Sequence, residues 1–114
     1  MGGCGNPESS GISKADGSVS VDSFSYAEDS ARWGTIGVCT SGFQNTTVQT
    51  VDNGEQAIAL AKREAVVSYD LVDVAFDEME KMWEVTFWTE NQAGGGQRVY
   101  LNADGITQAS IFGE

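Results

Sequence analysis

Past residue 70 the hydrophobic pattern of the chain changes period, and this change limits its fold more than any other feature. Val72, Val74 and Phe76 alternate with Asp73 and Ala75, and Trp83, Val85 and Phe87 alternate with Glu84, Thr86 and Trp88. Successive strand residues point to opposite faces, so each run reads as a half-buried strand. Residues 98–102 and 106–112 read as two more strands. The connections are a polar hairpin loop over 77–82, a loop over 90–97 holding Gly94-Gly95-Gly96, and a tight Ala103-Asp104-Gly105 turn in which Gly105 suits a positive φ. Four strands joined in this way predict an antiparallel meander.

Ahead of the meander the period is helical. In Asp52-Asn53-Gly54-Glu55 an N-cap acid stands three residues before a Glu, the spacing of a capping box. Residues 56–63 are good helix formers, and Ala57, Ile58, Ala61 and Ala65 repeat on one face, with Leu60 on its flank and Tyr69 closing the stripe. The helix is expected over 53–69. Its apolar face is built largely from alanine, which lets it approach a sheet closely. Glu64 projects near this stripe. It reads as a boundary residue reaching water, the alternative being a partly buried carboxylate in a pocket. The fold class expected is α+β, with one main helix packed on a twisted antiparallel sheet of four or more strands.

The first half of the chain is less patterned. Residues 1–18 are rich in Gly, Ser and Asn and include Pro7, so they read as a flexible N-terminal tether, with 19–114 as a single α+β domain. Within 19–51 three strands are expected: one from Val19 to Phe24 or Tyr26, one over 34–39 and one over 47–51. Cys39 lies in an apolar run and reads as a buried, inert thiol. Asn45-Thr46-Thr47 fits a glycosylation acceptor.

Charge and composition exclude several functions. The chain of 114 residues carries 17 acids, 6 bases and no histidine, for a net charge of −11. Phosphate contacts need clustered Lys and Arg, so nucleic acid is not an expected partner. The lack of histidine removes Ser-His-Asp and Cys-His catalysis and histidine zinc sites. The glycine run precedes a strand and no Lys-Ser or Lys-Thr follows it, so it is no phosphate loop. The acids at 77–80 lack the alternating offsets of a calcium loop. No catalytic residue, cofactor or metal is expected, and no stretch approaches the roughly 18 apolar residues of a transmembrane segment.

What the composition leaves is binding. Asp70, Asp73, Asp77, Glu78, Glu80, Glu84 and Glu90 face one base, Lys81, a local net of −6. Such a cluster reads either as a solvated surface that blunts edge pairing or as a landing site for a basic protein partner. Trp88 points away from Trp83 and Phe87, which places it with Tyr100 on the far face of the sheet. That face is a protein-binding patch if it is open; alternatively residues 19–51 fold over it and bury it. The candidate partner-binding residues are Asp77, Glu78, Glu80, Glu84, Trp88 and Tyr100. Gly2-Gly3-Cys4, followed by a polar stretch, resembles the cleavage end of a bacterial lipoprotein signal and marks Cys4 for lipidation. The cell surface and the cytoplasm are both open as locations.

Several segments from residue 51 onward carry a family resemblance. They are Val51-Asp52-Asn53-Gly54-Glu55-Gln56-Ala57-Ile58-Ala59-Leu60-Ala61, then Met82-Trp83-Glu84-Val85-Thr86-Phe87, then Gly95-Gly96-Gln97-Arg98-Val99-Tyr100-Leu101 and Asn102-Ala103-Asp104-Gly105. This order is similar to bacterial immunity proteins of the nuclear-transport-factor-2-like or cystatin-like kind, and also resembles the PepSY module. The first resemblance implies a small non-enzymatic inhibitor of a toxin; the second implies a binding module of secreted or membrane-attached proteins.

Overall fold

The computed structural model describes residues 19–33, 37–90 and 96–112. The tether over 1–18, with Cys4, lies outside the described residues, as does most of the glycine loop.

A six-stranded mixed sheet runs through the molecule with one helix on each face, an α+β architecture. In chain order the elements are β1 (Val21–Ser23), α1 (Tyr26–Arg32), β2 (Val38–Cys39), α2 (Gly54–Lys62), β3 (Leu71–Asp77), β4 (Met82–Trp88), β5 (Gln97–Asn102) and β6 (Thr107–Phe112). The strands lie in the order β1-β3-β4-β5-β6-β2. The meander β3 to β6 is antiparallel, as its alternation predicts. The sheet as a whole is not, because β1 joins β3 in parallel.

The helix over the meander is shorter than expected, and its cap is shifted by one residue. Asn53 is the N-cap, its side chain accepting from Gln56 N–H, while the Gln56 side chain accepts from Asp52 N–H at 2.6 Å. The cap expected of Asp52 is thus supplied by Asn53, and Gln56 in place of Glu55 reaches back, to the N–H of Asp52. The helix ends at Lys62, and the next three N–H groups donate three residues back, Arg63 to Leu60, Glu64 to Ala61 and Ala65 to Lys62. This tightening is common at helix ends. The buried side of α2 is Gly54, Ala57, Leu60 and Ala61, set against Val74, Trp83, Val85, Phe87, Val99 and Leu101. The small residues allow the close approach their sequence implies. A Cβ on Gly54 would come within 2.9 Å of Val21 Cγ2 and 3.2 Å of Val74 Cγ1.

The opposite face is closed by α1, a helix the hydrophobic pattern alone does not announce. Ser25 caps it by accepting from Glu28 N–H, and Ser25-Tyr26-Ala27-Glu28 has capping-box spacing. Phe24, Tyr26, Trp33 and Val38 pack there against Met82, Tyr100, Ala109 and Ile111. Of the three strands expected in 19–51, two are short edge strands and the third does not form. Its Gln49 and Val51 N–H groups instead donate to the Asp104 and Ala103 carbonyls of the β5–β6 turn.

Candidate functional site

Three polar constellations stand out, each built where elements distant in sequence meet. The first lies under α1. Register places Glu84 directly opposite Tyr100, and α1 lowers Asp29 onto the pair. Tyr100 is fully buried. Its phenol donates toward Asp29 Oδ2 at 3.0 Å and lies 3.2 Å from Glu84 Oε2. Arg32 pairs with Asp29 at 2.8 Å from the solvent side, and Arg98 Nε stands 3.6 Å from Glu84. Burial, then the hydrogen bond to Asp29, pushes the Glu84 carboxyl up to about 7 against the pull of Arg98. Burial, with Glu84 beside it, also raises the Tyr100 phenol. The cluster can hold a proton, but it lies within the packing between α1 and the sheet.

The second constellation is at the end of α2. Glu64 is buried, and its carboxylate accepts from the backbone N–H of Gln44 and of Asn45 and from the Thr107 hydroxyl, at 2.8–3.1 Å. Of the two roles open to Glu64, a carboxylate reaching water does not hold: the loop over 44–45 needs its oxygens as acceptors. Asn45 is also buried and donates its side-chain amide to the Leu60 carbonyl and Thr107 Oγ1. Both amide hydrogens are therefore in use inside the fold, which leaves no acceptor nitrogen for a glycan. Gln97 ties the sheet to the same region, donating to the Glu64 carbonyl and Ser110 Oγ and accepting from Val66 N–H. Beside these residues opens a cleft of about 190 Å³, lined by Cys39, Phe43, Arg63, Glu64, Gln97 and Phe112 among others. Cys39 is exposed, not buried. It sits on the edge strand β2, at one end of the strand order.

The third is the acidic end of the molecule. Asp77 accepts from Tyr26 N–H at 2.6 Å with one oxygen and from Met79 and Glu80 N–H with the other. Burial pulls its pKa up, but the backbone donors of Tyr26, Glu80 and Met79 together outweigh this and hold the carboxyl below its usual value. Glu78 and Glu80 are exposed in the turn between β3 and β4, and Glu28 is exposed on the first turn of α1, which Asp77 docks against that turn.

The six residues singled out from sequence therefore separate. Glu78 and Glu80 stay on the surface. Asp77 turns inward as an acceptor of backbone N–H groups. Glu84 and Tyr100 sit together beneath α1. The reading in which part of residues 19–51 covers the far face of the sheet holds at Tyr100, because burying its ring and those of Phe24, Tyr26 and Trp33 outweighs leaving them wet. Trp88 shares that face but lies at the other end of β4, about 20 Å from Met82; it is 36% exposed and its indole donates to Asp73.

Asp29, Arg98 and Gln97 are site members not singled out from sequence, and Asn45 is marked there only as a glycosylation acceptor. Pairing Glu84 with Tyr100 across β4 and β5 would have placed Arg98 nearby, and the Ser25–Glu28 capping box would have announced α1 and its Asp29. Among the described residues no group of three or more metal-binding side chains is assembled, and no helix is long and apolar enough to cross a membrane. No protein-family model, curated protein or solved structure matches this chain.

Proposed function

We propose that the chain is a non-enzymatic binding protein that acts as an immunity-type inhibitor of a basic toxin. The observation that carries this reading is the placement of charge. Asp29, Glu64, Asp77 and Glu84 are engaged inside the fold, while Glu28, Glu78 and Glu80 face water at one end, on two elements that Asp77 ties together. Exposed carboxylates on a turn and on the helix docked against it suit a partner rich in Lys and Arg, because complementary charge speeds association and fixes orientation. The order of α2 followed by the meander β3 to β6 supports the cystatin-like or nuclear-transport-factor-2-like reading of the fold; the parallel β1 and the covering α1 depart from a plain helix-on-sheet arrangement.

The test uses a toxin encoded beside this chain and a variant carrying Glu28→Lys, Glu78→Lys and Glu80→Lys. Glu84 is left intact because its substitution would disturb the interior. The variant is expected to bind at least about tenfold more weakly at low salt, with a shallower salt dependence. Unchanged affinity and salt dependence would remove the electrostatic basis of the reading.

The second reading is a surface-tethered lipoprotein or PepSY-like module anchored at Cys4. It rests on Gly2-Gly3-Cys4 and the polar residues after it. Its test is lipid labelling in cells of the natural full-length gene product, with and without Cys4→Ser.

A further inference from the structure

We propose that the Glu84 carboxyl carries a proton where it meets Tyr100 and Asp29, and that loss of this proton releases α1 from the sheet. No partner is needed for this, because the donors at the cluster are few. A tyrosine hydroxyl has one hydrogen to give, yet a carboxylate oxygen lies 3.0 Å from it on one side and another lies 3.2 Å away on the other. With both carboxylates ionised, the phenol satisfies one of them and turns a lone pair toward the second. With one carboxyl protonated, the phenol donates to Asp29 and the Glu84 hydroxyl donates in turn to the phenol oxygen or to Asp29, so every oxygen in the cluster is paired. A carboxyl buried beside a second carboxylate ionises less easily, and here that carboxyl is Glu84.

The surrounding charges leave this balance close to neutrality. On α1, Arg32 pairs with Asp29, but its side chain is 72% exposed and screened by water. On β5, Arg98 faces Glu84 at 3.6 Å. From β3 this face carries Ala75 opposite Glu84, with the carboxylates of Asp73 and Asp77 one pair away on either side. Asp73 accepts from the Trp88 indole and Asp77 from backbone N–H groups. From β6 it carries Ala109 and Ile111, which have no charge. Burial is the largest influence on Glu84 and opposes its ionised form, which brings its titration to about 7.

The element at stake is weak on its own. A helix of seven residues is too short to persist without tertiary contacts. The contacts that hold α1 are the Asp77 acceptor at Tyr26, the Asp29 link to Tyr100, and the rings of Tyr26 and Trp33, 5.3 and 5.2 Å from that of Tyr100. Deprotonation sets two anions against each other at the middle of this contact. Release of α1 uncovers the ring of Tyr100 and the apolar residues around it.

The experiment is amide hydrogen exchange on the full chain at about pH 6 and about pH 8.5, corrected for the intrinsic pH dependence of exchange. Protection of the α1 amides is expected to fall about tenfold or more across this range, while the β4 and β5 amides keep theirs. Glu84→Gln supplies an N–H donor at every pH and is expected to flatten the α1 profile. Asp29→Asn is expected to do the same, so either variant suffices if the other fails to fold. A flat profile in the unmodified protein, or a fall that persists in the folded variant, overturns the proposal.

Discussion

Tyr26 at the start of α1 donates its backbone N–H to Asp77 at the end of β3, 51 residues away in sequence, across 2.6 Å. One carboxylate thereby closes the β3–β4 turn and docks α1. Asp77→Ala would leave three N–H donors without their acceptor, those of Tyr26, Met79 and Glu80. The expected loss is about 2–3 kcal/mol, read by urea unfolding, together with weaker α1 signals in amide exchange. A variant as stable as the parent would show that water replaces the carboxylate without cost.

Glu64 plays the matching part on the other side of the sheet, where it holds Gln44, Asn45 and Thr107. Glu64→Ala is expected to cost about 2–4 kcal/mol, since buried donors are orphaned, and Glu64→Gln less, because one carbonyl oxygen remains. Midpoint shifts in denaturant should rank the two in that order. Equal losses would mean that the negative charge, which both variants lack, is what the site requires rather than the acceptor that glutamine retains.

Two glycines with nearly the same backbone separate strain from contact. Gly42 and Gly105 both have positive φ, +79° and +76°. A Cβ at Gly42 meets nothing within 4 Å, whereas at Gly105 it would run into the Gln49 carbonyl oxygen. Gly42→Ala should therefore cost about 1 kcal/mol, the price of the left-handed conformation. Gly105→Ala should cost clearly more, about 2–3 kcal/mol, because the segment at Gln49 must also shift. Thermal unfolding of the two variants measures the difference, and equal costs would contradict the close approach of Gln49 to Gly105.

Stability should depend on pH through two carboxyls with opposite signs. Glu84 has a raised pKa in the folded state, about 7 against 4.5 unfolded. Its contribution is fully present below about 4.5 and is lost as pH rises through 7. Asp77 has a lowered one. Its contribution is present above its unfolded value of 3.8 and is lost as pH falls through the still lower folded value. Both contributions are held best in mildly acidic solution, between those limits. Unfolding free energies measured from about pH 3 to 9 should decline toward both ends, and Glu84→Gln should remove the decline between about 5 and 8. A profile that climbs steadily to pH 8 would refute the assignment of Glu84.

Where the chain's own chemistry is local, it is readable. The alternation in β3 and β4, the alanine stripe of α2 and the turn at Gly105 are each short patterns whose physical cause acts within a few residues, and the structure places them close to where they are expected. The cap of α2 slips by one residue because an Asn side chain caps as well as an Asp, and Gln56 reaches back to Asp52 N–H. The capping box of α1 was equally local, but it lies in a segment too poor in apolar period to draw attention.

The site was harder to read because long-range packing decides the role of each acid. Seven acids between residues 70 and 90 look alike in sequence. Folding turns Asp77 toward the start of α1, sets Glu84 beside Tyr100 and leaves Glu78 and Glu80 in water. By itself the sequence determined the helix, the meander and the excess of negative charge, since these follow from spacing and composition. Only the tertiary structure decided which acids are buried and which segment closes the far face of the sheet. Burial depends on which distant segment crosses above a residue, and here that segment is a helix of seven residues that is held in place by the carboxylates it covers.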